Sequence, residues 1–180
     1  MTDNQSSLSR KMAMPERTLI ELLYGKGAHV SPLACVEDLT AEWAGRHADN
    51  LPHSVWQIVW HVNFWTDYEL ERIRGEKPHY PDHAAESWPK DIAPISEAEW
   101  KKDSARFADL IGMLAAMAES DSNELDREVP PMHANQETRT STVRAILWQT
   151  LAHNSYHVGQ IALVRRALGV WPPRSGGDSW

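Results

Sequence analysis

Apolar positions recur at helical spacing in four stretches of this chain, and polar, proline-containing connections separate them. The longest stretch is TSTVRAILWQTLAHNSYHVGQIALVRRALGV, residues 140 to 170, where Val143, Ile146, Leu147, Leu151, Val158, Ile161, Leu163, Val164 and Leu168 keep the period of an α-helix. Thr140 or Ser141 offers an opening cap and Gly169 a left-handed stop, which predicts a helix of roughly seven turns. SVWQIVWHVNFWTDYELERIRG, residues 54 to 75, predicts another; Ser54 with Gln57 three residues on is a capping-box signal, and Gly75 followed by Pro78 marks the end. A third runs from Ser96, again with Glu99 three residues later, to about Ser120. Its inward stripe is Trp100, Phe107, Leu110, Ile111, Leu114 and Met117, with Lys101, Lys102, Asp103 and Arg106 as a solvated face. The first helix begins near Pro15 and carries Leu19, Ile20, Leu22 and Leu23. Gly25 and Gly27 interrupt it before a shorter segment from Pro32 with Leu33, Val36 and Leu39.

Residues 44 to 53 and 121 to 139 are polar connections. Residues 76 to 95 contain Pro78, Pro81, Pro89 and Pro94, which argues for a loop or lid crossing one end of a bundle. No alternating run is long enough to require a sheet, and there is no glycine-rich phosphate loop. The expected fold is all-α: one four-helix domain over 15 to 170, with a flexible N-terminal tail at 1 to 14 and a C-terminal tail at 171 to 180.

Composition narrows the function classes. A chain of 180 residues supports one core, and a formal charge of -7 is unsuited to a phosphate backbone. Arg165 and Arg166 make only a small basic spot, so no nucleic-acid partner is expected. No apolar run approaches the roughly 20 residues a membrane span needs, and the N-terminus has no signal-type hydrophobic segment, which points to a cytoplasmic protein. Cys35 is the only cysteine, so any metal must be held by nitrogen and oxygen. Nine tryptophans are spread along the chain; they suit core and interface packing, with some available to wall a pocket.

The candidate chemistry is in histidines. His153 and His157 are four apart on the last helix, so both rings leave the same side. His61 lies on one stripe with Ile58, Trp65 and Tyr68, and across a bundle interior it could oppose that pair. Three neutral imidazoles make a credible metal face that leaves a position for water, a thiolate or a substrate oxygen. The other histidines are weaker candidates. His29 reads as a polar residue at a helix junction, Pro81 prevents His79 and His83 from aligning, and His133 lies in a loop. The residues three before His61, His153 and His157 are Ile58, Thr150 and Asn154, so the Glu-x-x-His repeat of dimetal bundles is missing and one metal is the consistent reading. Asn154 after His153 also excludes the zinc-protease pattern. Asp67 and Glu69 are not placed beside His61 by helical spacing and read as surface acids. Asn63, Asn154, Tyr156 and Gln160 could support ligands or merely cap and pack.

HSVWQIVWHVNFW at 53 to 65 and LAHNSYHVGQIALVRRALG at 151 to 169 resemble the two signature segments of the DinB/YfiT-like proteins, and the resemblance covers most of residues 15 to 169. It implies a four-helix bundle, often a homodimer, with a mononuclear divalent metal on His61, His153 and His157 and with Gly159 and Gln160 in the adjoining signature. Zinc, nickel and iron(II) all accept such ligands. Family chemistry implies a metal-dependent hydrolase or a transferase that uses a low-molecular-weight thiol as cosubstrate, acting on a small molecule. The alternative is a non-catalytic, metal-containing binding or stress-associated protein. A related domain supplies the three-histidine iron site of sulfoxide synthases, but an iron-dependent oxidative enzyme is not expected here, because the separate substrate-binding domain found beside that domain is missing.

Overall fold

The computed structural model describes residues 14–131 and 140–177. In chain order they form α1 (Met14–Leu23), α2 (Pro32–Val36), α3 (Ala41–Gly45), α4 (Val55–Ile73), a 3-10 turn (Ala84–Ser87), α5 (Glu97–Ala118), α6 (Ser122–Leu125), the paired strands β1 (Glu128–Val129) and β2 (Ser141–Thr142), and α7 (Val143–Ala167). The four helices of the bundle are α1, α4, α5 and α7. Both α1 and α4 pack on α5 and α7, so the first two long helices lie on a diagonal rather than side by side. None of the described helices is long and apolar enough to cross a membrane.

Local sequence explains most boundaries. Ser54 forms a complete capping box: its hydroxyl accepts from Gln57 N at 3.2 Å while Gln57 Oε1 accepts from Ser54 N at 3.1 Å. Ser96 Oγ accepts from Glu99 N at 3.2 Å, but Glu99 Oε2 takes the backbone N–H of Ile95 instead, so only half of the expected box is there. The cap of α7 is Thr142, whose hydroxyl accepts from Ala145 N, rather than Thr140 or Ser141. The preceding residues are drawn into a short antiparallel pair in which Glu128 faces Thr142 and Val129 faces Ser141. Two-residue strands leave no alternation to read, and this pairing escapes the sequence pattern. Gly169, at φ +74°, follows α7 in the left-handed conformation expected of a stop.

Two apolar clusters fill the bundle. One gathers Cys35, Val55, Ile58, Val59, Val62, Trp100, Phe107, Val158 and Ile161; the other gathers Leu19, Leu23, Leu70, Ile73, Leu110, Leu114, Ile146, Leu147 and Leu151. Between them along α4 and α7 lies a buried polar layer containing His61, Asn63, Thr66, Thr150, Asn154 and His157. Buried polar atoms at that depth are tolerated when they are bonded to one another, and most of these are.

Several residues that read as surface are internal partners. Arg165 is only 1% exposed. It donates to the carbonyls of Ala34, Cys35, Glu37 and Val170 and pairs with Asp38 at 2.8 Å, tying α2 to α7 instead of forming a basic spot. Asp103 accepts from Trp56 Nε1 at 2.7 Å, and Arg106 pairs with Asp67, so these members of the supposed solvated face join α5 to α4. Residues 171 to 177 lie against α2: Arg174 N donates to Asp38, and Ser175 N to Glu37.

Candidate metal centre

His61 on α4 and His153 and His157 on α7 meet in the polar layer, one turn separating the last two. Ring centroids are 5.3 Å apart for His61 and His153, 4.8 Å for His61 and His157, and 4.5 Å for His153 and His157. One ligating nitrogen from each can be chosen so that all lie within 4.8 Å of one another, and among the described residues this is the three-ligand cluster the fold creates. His61 and His157 are buried, and His153 is half-buried.

Each ring is oriented through its other nitrogen. His61 Nδ1 donates to the Ser87 carbonyl at 2.8 Å, His157 Nδ1 to Gln160 Oε1 at 2.7 Å, and His153 Nδ1 to Asn154 Oδ1 at 3.2 Å. Gln160 is itself held by Tyr156, whose hydroxyl accepts from Gln160 Nε2 at 3.1 Å, and Asn154 Nδ2 donates to Thr66 Oγ1 at 3.3 Å. Oxygen acceptors at all three Nδ1 atoms favour the tautomer with the proton on Nδ1, in which Nε2 carries the free lone pair. The His61 and His153 Nε2 atoms are 3.3 Å apart. Two nitrogens on a tetrahedral zinc, each at about 2.0–2.1 Å, would be separated by about 3.3–3.4 Å. Burial pushes His61 and His157 down to about 4 and shifts His153 in the same direction, so the rings are neutral near pH 7 and ready to ligate. The donor set therefore fits a divalent cation.

Trp88 closes one side. Its ring lies between His53 and His61, at centroid distances of 3.8 and 3.9 Å and 10° from each plane. The 76 to 95 connection is pinned along the flank of α4 rather than laid across one end. Ser54 Oγ donates to Ile92 O, Gln57 Nε2 to Asp91 O, and His61 to Ser87 O, while Ala93 abuts Gly45 of α3. Its residues 87 to 93 brace the His61 ring.

The remaining candidates separate cleanly. His29 bonds Val30 O and Ser155 Oγ, between His153 and His157 on α7, but does not join the cluster, and His79 and His83 are exposed. His133 lies outside the described residues. Asn154, Tyr156 and Gln160 support the ligands, whereas Asn63 bonds the Asp103 carbonyl on the α5 side. Asp67 pairs with Arg106, and Glu69 is largely buried beside Arg72 rather than being a free surface acid. Sequence reasoning missed Ser87 and Trp88. No periodic pattern marks them, since they reach His61 from an irregular segment. A Cβ at Gly159 would meet nothing within 4 Å, so crowding does not explain that glycine.

The sequence profile of the DinB superfamily matches residues 32–161, more than half of the chain. The chain belongs to the DinB superfamily. Two solved structures share its fold. YfiT from Bacillus subtilis, described as a probable metal-dependent hydrolase with an unusual four-helix bundle topology, is 17% identical; the match covers 96% of this chain and 95% of that one at a TM-score of 0.59. A conserved protein from Enterococcus faecalis is 15% identical, with 86% and 95% covered and a TM-score of 0.57. No curated protein matches the chain. At these identities the likeness establishes the bundle; the cluster is established by this chain's own geometry.

Proposed function

We propose that this DinB-superfamily protein is a mononuclear metal-dependent enzyme, a hydrolase or a thiol-dependent transferase, with zinc, nickel or iron(II) held by His61, His153 and His157. The observation that carries the reading is the approach of His61 Nε2 to His153 Nε2 at 3.3 Å while the Nδ1 of each ring faces an oxygen acceptor. With both Nδ1 protons committed to oxygen acceptors, two acceptors face each other in a buried layer, an arrangement that a cation between them relieves. The description of YfiT as a probable metal-dependent hydrolase supports the same class. When bound, the cation would supply Lewis acidity to an oxygen or sulfur ligand in the remaining position.

The chain's own groups set the conditions for that chemistry. Ser87, Asn154 and Gln160 fix the imidazole tautomers, and Trp88 shields one face of His61 from water. The cavity beside His153, lined by Trp65, Glu69, Tyr80, Gln149 and Thr150, receives the substrate. The homodimer expected of the family belongs to this proposal; Tyr156 and Leu163, seven residues apart on α7 and 66% and 51% exposed, mark the face to test by sedimentation.

The decisive experiment starts with elemental analysis of untagged protein. Metal is then removed, retained helicity is checked by circular dichroism, and hydrolysis and thiol transfer are measured before and after restoring zinc, nickel or iron(II). Turnover should appear only on restoration and vanish in His153→Ala. Equal turnover in depleted and restored samples refutes metal catalysis.

A further inference from the structure

A cavity of about 270 Å³ continues from the cluster along the groove between α4 and α7, with His153 as the shared wall and Trp65, Glu69, Tyr80, Gln149 and Thr150 as the rest. The two helices run antiparallel, because His61 meets His157, Thr66 meets Asn154, and Glu69 shares the cavity with Gln149 and Thr150. Glu69 stands eight residues beyond His61, roughly 12 Å along the axis at 1.5 Å per residue, and so marks the end of the cavity away from the cluster. The volume suits a ligand smaller than a typical drug, long enough to touch both ends.

The chemistry of that far end is asymmetric. Among the described residues lining the cavity Glu69 is the one carboxylate, and none is a lysine or arginine. Glu69 Oε2 accepts from Arg72 Nη1 at 3.0 Å, but Arg72 lies outside the lining, so the guanidinium pins the carboxylate from behind. Oε1 has no donor among the described residues. Burial pushes the Glu69 carboxyl up and Arg72 opposes this, so the environment has room for a second positive partner. Trp65 and Tyr80 form a corner next to it, with centroids 5.6 Å apart and planes 58° apart, and their faces attract cations. Thr150, 5% exposed, has a buried hydroxyl without a hydrogen-bond partner on the same cavity. An anion would meet the carboxylate and the aromatic rings, whereas an N–H donor of positive charge meets the carboxylate oxygen that Arg72 leaves open.

We infer that the cavity selects small substrates with a primary ammonium group, which Glu69 receives beside the corner formed by Trp65 and Tyr80 while the other end of the molecule reaches the cluster at His153. This rests on the proposed function for the second contact and on Glu69 alone for the first. The two are separable by experiment.

In one arm, nickel-loaded protein is titrated calorimetrically with ω-amino alkylhydroxamates of increasing length and with the uncharged alkylhydroxamates of the same lengths. The amino series should bind tighter by about tenfold, the scale of a charge-assisted contact with aromatic support, and the advantage should peak at one chain length. Glu69→Gln should erase the advantage while leaving the uncharged series unchanged. Tyr80→Leu, at a 39% exposed position, should reduce it and guards against misfolding from an unpaired Arg72. In the other arm, metal-depleted protein is titrated with butylammonium or butanol and the Trp65 indole resonance is followed by NMR. Butylammonium should bind in preference to butanol, and Glu69→Gln should abolish that preference. If no hydroxamate binds but the butylammonium preference holds, the metal reading fails and the ammonium site stands. If butylammonium and butanol bind alike, or if the preference survives in Glu69→Gln, the inference is overturned whatever the metal does.

Discussion

Gln160→Met is the sharpest test of how the cluster is built, because it changes none of the three histidines. Gln160 Oε1 accepts the His157 Nδ1 proton at 2.7 Å and is itself positioned by Tyr156, so the substitution removes one oriented acceptor and leaves the side-chain volume similar. Loss of such a partner typically costs 10–100-fold in metal affinity, about 1.4–2.8 kcal/mol. Gln160 is only half-buried, and water can replace part of the lost bond, so the lower half of that range is expected, about tenfold to thirtyfold. Fold stability should change little, because the residue sits at the edge of the polar layer. The assay is zinc competition against a chelating indicator of known affinity, run beside Gln160→Glu. A carboxylate accepts the same proton more strongly and makes the imidazole a better donor, so Gln160→Glu should bind zinc at least as tightly as the parent. If Gln160→Met lies within about twofold of the parent, or if both variants weaken zinc equally, then the Gln160 contact does not orient His157 for ligation.

Three further outcomes follow from the same geometry. Trp88→Ala removes two stacked contacts, at 3.8 and 3.9 Å, and should lower stability by about 1–3 kcal/mol in urea unfolding. Arg165→Met leaves Asp38 and several α2 carbonyls without their donor and should cost about 3–5 kcal/mol in the same assay, far more than an exposed arginine would. For pH, the folded imidazoles of His61 and His157 are held near 4, so between that value and about 6.5 the unfolded chain binds more protons. Metal-free protein should therefore keep its full histidine contribution above about pH 6.5 and lose it progressively as pH falls toward the folded values, whereas a flat melting temperature from pH 7 to pH 5 would contradict the buried neutral rings.

What the sequence disclosed depended on whether a feature had a local signature. The registers of α4, α5 and α7 were legible because Ile58, Leu110 or Ile146 recur at helical spacing, and the caps at Ser54 and Ser96 because they sit next to the helices they start. His61, His153 and His157 could be nominated from two helical faces and two motif segments, and the structure brings the rings together. The contacts that orient them divide by the same rule. Gln160 and Asn154 lie within three residues of their histidines and were visible as candidates, while Ser87 is 26 residues from His61 and arrives through a segment without periodicity. Arg165, Asp103 and Asp67 escape the sequence for a related reason: a charged residue on a helix looks solvated until the partner that covers it from a distant part of the chain is known.

The position of the cluster between two apolar layers also constrains where a sulfur nucleophile could come from. Cys35 is the protein's only cysteine, fully buried within the apolar cluster that includes Val55 and Val59. Burial pushes its thiol up to about 12, with Arg165 and Arg166 only partly opposing, so almost none of it is thiolate near pH 7. Its backbone carbonyl, moreover, is engaged by the buried Arg165, so bringing the residue to the cluster would dismantle the α2 and α7 contact. Any thiolate that takes the open position beside the three histidines must therefore enter from solution, and the cavity past Trp65, Tyr80 and Glu69 is the described opening that reaches His153. A transferase reading of this fold accordingly requires an external thiol, and replacing Cys35 with alanine should leave thiol transfer intact while lowering stability only slightly, since a small apolar side chain takes the place of another.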